Sequence, residues 1–183
     1  MRFKTIMTLI MKRENRYLRQ KAIDYAVTYA LNPNPKYRYF SIKDNNGGDC
    51  TNFISQCLLA GGVPMNYNRE YPWWYNSKNT INVMDDTWSI CWTVAHSLYY
   101  YLKVNQEKNS FGAKGLEIYN KSDLEIGDLV FFEDTNHRIF HSAIITSFNN
   151  REPLISQHTF NDLNIPIKTS MKYINPHFLK ISL

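Results

Sequence analysis

The chain has 183 residues, of which 44% are hydrophobic and 20% charged, and its formal net charge is +5. This length and composition predict one folded domain and exclude a disordered chain. Three cysteines without a C-x-x-C spacing exclude a disulfide scaffold and a zinc site, so we expect neither a metal nor a cofactor. The positive charge favours anionic partners, but no block rich in lysine and arginine predicts a nucleic-acid partner.

The first residues of the chain resemble a shortened signal segment. Basic residues precede an apolar run from Thr5 to Met11, but Lys12-Arg13-Glu14 follow at once and no small-residue cleavage site is visible. We therefore divide the chain into an N-terminal extension or degenerate signal-like segment, residues 1–15, and a single domain, residues 16–183. No apolar run reaches the roughly 20 residues that a bilayer crossing requires, so the sequence predicts no integral membrane segment.

Two helices are predicted in the first third of the chain. Apolar side chains recur at helical spacing from Arg16 to Leu31, and an Asn-Pro-Asn-Pro run then ends the pattern. After a glycine turn, the same spacing recurs from Cys50 to Leu58, and Gly61-Gly62 marks its end. The second predicted helix therefore begins with a cysteine.

Cys50 is the candidate nucleophile of this sequence. In the first turn of a helix it lies among unpaired backbone N–H groups at the positive end of the helix dipole, which favours the thiolate. The preceding Asp49 is placed to cap the helix, although its negative charge opposes thiolate formation. The alternative for Cys50 is a buried structural thiol, the role that Cys57 and Cys91 fit.

The segment from Val63 to Thr87 has no clear period and is rich in aromatic and amide side chains. A loop of this length is uncommon unless it is functional. Rings next to amide groups suit stacking on a sugar or a peptide, so Trp73, Trp74 and Tyr75 are candidate substrate-binding residues. Asp49 is a further candidate because it adjoins the cysteine. The alternative is that the rings cover the hydrophobic core and that Asp49 only caps.

The pattern changes in the second half of the chain from helical to extended. A third helix, capped by Asp85-Asp86, is predicted from Trp88 to Leu102, and a polar connection follows. Four short apolar runs then predict strands at residues 129–132, 141–146, 154–159 and 177–181. Helices followed by strands predict an α+β domain, in which N-terminal helices pack on a C-terminal antiparallel sheet.

A cysteine nucleophile needs a base, and His141 at the start of a predicted strand is the candidate. By the two-residue alternation of a strand, His141 shares a face with Ala143 and Ile145. If that face meets the cysteine helix, His141 can reach Cys50.

The base in turn needs an orienting group, and two residues compete for this role. Gln157 and His158 are neighbours on the next predicted strand and point to opposite faces, so either can accept or share the second imidazole proton. We favour His158. If Gln157 is the inward residue instead, His158 lies on the far face.

The order of these segments resembles a known superfamily. The cysteine at a helix start, the strand entered through Ile126-Gly127-Asp128 and the strand beginning at His141 are similar to the papain-like NlpC-type and CHAP-type cell-wall peptidases. More closely, residues 48–57, 60–62, 73–76 and 155–159 resemble the bacterial "putative amidase domain" family of that superfamily. The likeness extends over nearly the whole chain, from about residue 22 to about residue 180.

This resemblance implies a papain-like fold and the hydrolysis of an amide bond in peptidoglycan without a metal. It implies Cys50 as nucleophile and His141 as base, with a third polar residue at Gln157 or His158. The backbone N–H of Cys50 would stabilise the oxyanion. We expect a monomer that acts in the cell wall or outside the cell, with the cytoplasm as the alternative location.

Two other functions stay open at this point. The same Cys–His site could transfer an acyl group, or hydrolyse an amide or thioester outside the cell wall. The chain could instead be a non-catalytic module that binds glycan through its aromatic loop and keeps Cys50 packed in the core.

Overall fold

The computed structural model describes residues 16–44, 47–78 and 80–183, so the predicted N-terminal extension lies outside the described residues. The helices are α1 Arg19–Tyr29, α2 Cys50–Ala60, α3 Ile90–Thr93, α4 Ala95–Lys108 and α5 Ile167–Ser170. The strands are β1 Tyr75–Asn76, β2 Thr87–Trp88, β3 Lys114–Ile118, β4 Leu129–Glu133, β5 Ile139–Asn149, β6 Glu152–Gln157, β7 Asp162–Pro166 and β8 Pro176–Ser182. None of the helices in these ranges combines the length and the apolar character that a bilayer crossing requires.

Six strands form one antiparallel sheet in the order β3-β8-β4-β5-β6-β7, and β1 pairs with β2 in a separate two-stranded sheet. Of the five α-helices within the described residues, four precede the strands of the large sheet, and α1, α2 and α4 contact it. The predicted α+β arrangement, with N-terminal helices on a C-terminal antiparallel sheet, is therefore confirmed.

The large sheet is buried on both sides. One cluster joins the helices to the sheet and includes Phe53 of α2 and Phe131 of β4. The other cluster lies under α5 and includes Phe132 of β4 and Ala143 of β5. Because neighbouring residues of a strand point to opposite faces, β4 contributes to both clusters and its residues 129–132 are all apolar.

The third predicted helix begins later than expected and is broken. Thr87–Trp88 is a strand that pairs with β1, and Val94, with an extended backbone, separates α3 from α4. Asp86 does not cap this helix, whose first cap position is Ser89. Its carboxylate instead accepts hydrogen bonds from the Tyr75 hydroxyl, at 2.6 Å, and the Lys78 backbone N–H, at 2.9 Å.

Two strands of the large sheet were not predicted, and they are its two edges. Residues of β3 fall within or next to the segment predicted as a polar connection, and β7 follows a turn directly. An edge strand buries less of its surface than a central one, so its apolar pattern is weaker. Leu116 of β3, for example, is 51% exposed.

Candidate active site

Cys50 is the first residue of α2, as the glycine turn predicts. Gly48 has a φ of +99°, which L side chains rarely adopt. A Cβ at Gly48 would lie 2.7 Å from Thr159 Oγ1, so a side chain is excluded there for a second reason. The turn therefore allows the β6–β7 connection to approach the start of the cysteine helix closely.

Thr159, and not Asp49, satisfies the backbone at the start of α2. The Thr159 hydroxyl accepts hydrogen bonds from the N–H groups of Asp49, at 2.9 Å, and Cys50, at 3.2 Å. The Asp49 side chain makes no capping bond, so its predicted capping role is wrong. The Cys50 N–H, which we expected to be available to an oxyanion, is engaged by Thr159.

The backbone of Thr159 is itself unusual. Its φ is +80°, and a β-branched residue in this region is strained unless its surroundings hold it there. The sequence predicted Thr159 as the last residue of a strand and gave it no role at the cysteine helix, because that role depends on contact with a glycine more than a hundred positions earlier.

The Cys50 thiol and the His141 ring interact directly. Burial alone would raise the pKa of Cys50, but the His141 charge and hydrogen bonds from His141, Thr51 and the Ser142 backbone lower it to about 6. Burial also opposes a charge on His141, yet the Cys50 thiolate and the hydrogen bonds to Cys50 and Gln157 raise the pKa of its imidazole. The two side chains thus favour each other's charged form, which is a thiolate–imidazolium pair.

His141 does not reach Cys50 in the way the alternation of the strand predicted. Ala143 and Ile145 pack in the second cluster, under α5, so their face does not meet the cysteine helix. A bulge precedes His141: Phe132 pairs with His141, Glu133 pairs with Ile139, and the residue between has no partner in the register. Bulges are frequent next to active sites, and this one lies directly before His141.

Gln157, and not His158, is the partner of His141. His141 Nε2 lies 2.9 Å from Gln157 Oε1. The other end of the same amide donates to Asp162 Oδ2 at 2.8 Å. Our preference for His158 is therefore wrong in this geometry, and Asp162, which the sequence did not single out, extends the chain of contacts from Cys50.

His158 instead forms a buried pair with Asp49, and each side chain is 1% exposed. Its Nε2 lies 2.8 Å from the Tyr29 carbonyl, which can only accept, so this nitrogen carries a proton. Its Nδ1 lies 2.5 Å from Asp49 Oδ2, within hydrogen-bond distance. The Asp49 carboxylate is thus engaged by His158, the Phe40 backbone N–H and the Asn52 amide, and not by Cys50.

A cleft of about 420 Å³ opens beside Cys50. Its walls are the junction of α3 and α4, residues 93–96, and the loop between β4 and β5, which contributes Asp134 and Arg138. His96 lies in the first wall, and its Nδ1 has no hydrogen-bond partner among the described residues. An acidic side chain, a basic side chain and an imidazole (Asp134, Arg138 and His96) therefore line the same cleft as Cys50, and this cleft is large enough for part of a peptide.

A charged cluster anchors the strand end next to this loop. His177 bridges Glu117 and Glu133, with 2.9 Å at each contact, and His137 Nδ1 lies 2.5 Å from the second carboxylate oxygen of Glu133. Hydrogen bonds from His177 and His137 lower the pKa of Glu133 to about 2.

Within the described ranges, no three His, Cys, Asp or Glu side chains are grouped so that they could bind a metal ion.

The candidate aromatic contacts divide into buried and accessible residues. Trp73 is fully buried against Trp92, so the prediction that it binds substrate is wrong. Tyr75 is 4% exposed and lines a separate cleft of about 550 Å³ that does not include Cys50. Trp74 is half-buried and stacks on the exposed ring of Tyr67 at 5.9 Å, so it alone of the three stays a candidate.

A model of the family described as "putative amidase domain" matches residues 16–180 of this chain. The chain is 34% identical over 149 residues to the uncharacterized protein YhbB of Bacillus subtilis, an alignment that covers 79% of this chain and 42% of YhbB. It is 30% identical over 158 residues to the uncharacterized protein YjcM of the same organism, covering 79% of this chain and 31% of YjcM. The chain thus spans less than half the length of these relatives, and no solved structure matches it. The protein belongs to the "putative amidase domain" family.

Proposed function

We propose that this protein hydrolyses an amide bond with Cys50 as nucleophile and His141 as acid and base. The observation that carries the proposal is the interaction of these two side chains beside a cleft, which lowers the pKa of the thiol to about 6 despite its burial. A thiolate is the reactive form of cysteine, so this residue is activated at neutral pH. Gln157 holds the imidazole through His141 Nε2, which leaves Nδ1 for the sulfur.

The reaction has two halves. The Cys50 thiolate attacks the carbonyl carbon, and His141 gives its proton to the leaving nitrogen as the C–N bond breaks, which releases the amine and leaves a thioester on Cys50. Neutral His141 then takes a proton from water, the resulting hydroxide attacks the thioester carbonyl, and the sulfur leaves as thiolate. The products are an amine and a carboxylic acid.

Both halves place a negative charge on the carbonyl oxygen, which hydrogen-bond donors stabilise. The Cys50 N–H is the donor next to the sulfur, and in the resting protein it is bonded to Thr159 Oγ1. We therefore propose that the oxyanion replaces the Thr159 hydroxyl on this N–H when substrate is bound.

We further propose a papain-like arrangement and a peptidoglycan substrate. A cysteine at the start of a helix, a histidine on β5 and an amide on the neighbouring β6 follow the order of the papain-like cell-wall peptidases that the sequence resembles. The net charge of +5 suits the anionic polymers of a cell wall. Such a substrate implies action in the cell wall or outside the cell.

Purified peptidoglycan is the test substrate. The expected result is release of soluble fragments by the natural protein, with masses that identify the amide bond, and no release by the Cys50→Ala variant. Unchanged peptidoglycan together with cleavage of soluble acyl-amide or thioester substrates would contradict the wall substrate and keep the cysteine chemistry. If the natural protein and Cys50→Ala bind peptidoglycan equally and neither cleaves it, the proposal that the protein is an enzyme is contradicted.

A further inference from the structure

The side-chain amide of Gln157 is held from both ends. Its oxygen lies 2.9 Å from His141 Nε2, and its nitrogen donates to Asp162 Oδ2 at 2.8 Å. The glutamine is fully buried, so water does not compete for either end. His141, Gln157 and Asp162 therefore form a row of hydrogen bonds, in which each side chain determines whether its neighbour donates or accepts.

Asp162 determines which end of the Gln157 amide faces His141, and therefore the direction of both hydrogen bonds. A carboxylate oxygen accepts hydrogen bonds and does not donate them, so the Gln157 group that faces Asp162 must be the NH₂. The amide oxygen then faces His141 and also only accepts. His141 Nε2 must accordingly carry a proton, and the neutral ring keeps its unprotonated Nδ1 toward Cys50.

We propose that Asp162 is a positioning residue that fixes the tautomer of His141 through Gln157. The inference rests on the proposed function, because the Nδ1 that it leaves unprotonated is the atom that receives the thiol proton. Asp162 touches neither the sulfur nor the cleft, and it acts only through the amide.

The local backbone places Asp162 in this position. Gln157 and Asp162 are direct partners between β6 and β7, across a turn in which Thr159 and Asn161 both have positive φ values of 80° and 55°. The register between the two strands shifts just before this pair. Strained residues and bulges persist where the surroundings require them; here the strained residues lie within the turn that joins the two partners, and the register shift lies beside the pair.

The groups around His141 come from several elements. Cys50 of α2, Gln157 of β6 and the charge of Asp162 of β7 interact with the ring. Its other close neighbours are the rings of Phe132 and Phe160, at 5.7 and 5.9 Å. Since neither ring is a hydrogen-bond acceptor of comparable strength, the Gln157 oxygen is the group that fixes the Nε2 proton.

The first test compares the pH dependence of Cys50 alkylation by iodoacetamide in four proteins: the natural chain, Asp162→Asn, the double variant Gln157→Glu/Asp162→Asn, and Glu152→Gln. Asparagine can present either end of its amide, so Asp162→Asn releases Gln157 to turn, and alkylation at pH 6.5 should fall about tenfold. In the double variant a carboxylate at position 157 accepts from both neighbours, so the rate should return to within about threefold of the natural chain. Glu152→Gln removes an exposed charge from the other end of β6 and should leave the rate unchanged.

An Asp162→Asn rate equal to that of the natural protein would overturn the proposal. So would a double variant as slow as Asp162→Asn, because a general loss of folding would not be rescued by the exchange. Slow alkylation of Cys50 in the natural chain would instead count against the proposed function.

A second test needs no variant and so does not depend on variant folding. Long-range ¹H–¹⁵N spectra of the natural protein, recorded at a pH where His141 is neutral, distinguish the two tautomers. The proposal predicts a proton on Nε2 of His141. A proton on Nδ1 would overturn it, whatever the reactivity of the thiol.

Discussion

Two cysteines on the same helix have opposite chemistry. Cys50 begins α2 and Cys57 follows roughly two turns later, and both are buried. Burial raises the pKa of Cys57 well above its usual value, whereas His141 and the hydrogen bonds around Cys50 overcome burial and lower its pKa to about 6. Cys91, on α3, behaves like Cys57, with a pKa that burial raises to about 11. The reactivity of a cysteine here thus depends on its neighbours and not on its depth.

The largest expected effect is on catalytic activity, and it should appear when Cys50 is replaced but not when Cys57 is replaced. Cys50→Ala removes the nucleophile and should lower kcat for amide hydrolysis by about 10⁴-fold or more, with a change in unfolding free energy of roughly 1 kcal/mol at most. Cys57→Ala leaves a cavity in the core and should cost about 1–3 kcal/mol of stability while the folded protein keeps its kcat. Kinetics and chemical denaturation measure both. An active Cys50→Ala variant would remove this residue from the mechanism.

The next effect removes the group that distinguishes Cys50 from Cys57. In His141→Gln, burial of the thiol is no longer opposed by a positive charge, so the pKa of Cys50 should rise above its ordinary value. The thiolate fraction at pH 7, and with it the alkylation rate, should fall about 100-fold. His137→Gln is the matched control, because its side chain is 78% exposed and should leave the rate unaltered. An alkylation midpoint that stays near 6 in His141→Gln would show that another group activates the sulfur.

Gln157 and the adjacent His158 should also differ, one affecting mainly activity and the other mainly stability. Gln157→Met keeps the volume but removes the acceptor of His141, and should lower kcat about 10- to 100-fold. His158→Met leaves the Asp49 carboxylate buried without its partner and should destabilise the fold by about 3–5 kcal/mol. Unfolding curves and kinetics on the folded protein separate these effects. The reverse assignment, in which His158→Met abolishes kcat and remains stable, would restore His158 as the orienting residue.

The smallest effect concerns two adjacent tryptophans. Trp74→Ala removes an accessible ring that stacks on Tyr67 and should raise KM for peptidoglycan fragments by roughly two- to fivefold, with little change in stability. Trp73→Ala deletes a fully buried ring and should cost about 3–5 kcal/mol. An unchanged KM in Trp74→Ala would leave the aromatic loop without a role in binding.

The sequence predicts local features well and the connections between them less well. Helix α2 and the central strands follow from apolar spacing and a glycine turn, whereas His141 lies near Cys50 although the face predicted to carry it there does not meet the cysteine helix. The edge strands β3 and β7 were missed because an exposed strand has a weak apolar pattern.

Contacts between distant segments explain the other differences. Thr159 satisfies the start of α2 in place of Asp49, because Gly48 lets the β6–β7 turn approach. The choice between Gln157 and His158 depends on which face of β6 meets His141, and alternation alone does not decide it. Spacing along the chain carries no information about such long-range partners.

The most direct test of the central claim is the pH dependence of iodoacetamide labelling at each cysteine of the natural protein, read by mass spectrometry of its peptides. The account predicts that Cys50 labels with a midpoint near 6, while Cys57 and Cys91 stay almost unlabelled at pH 7. A Cys50 midpoint at about 8.5 or above, the range of an unperturbed thiol, would contradict it.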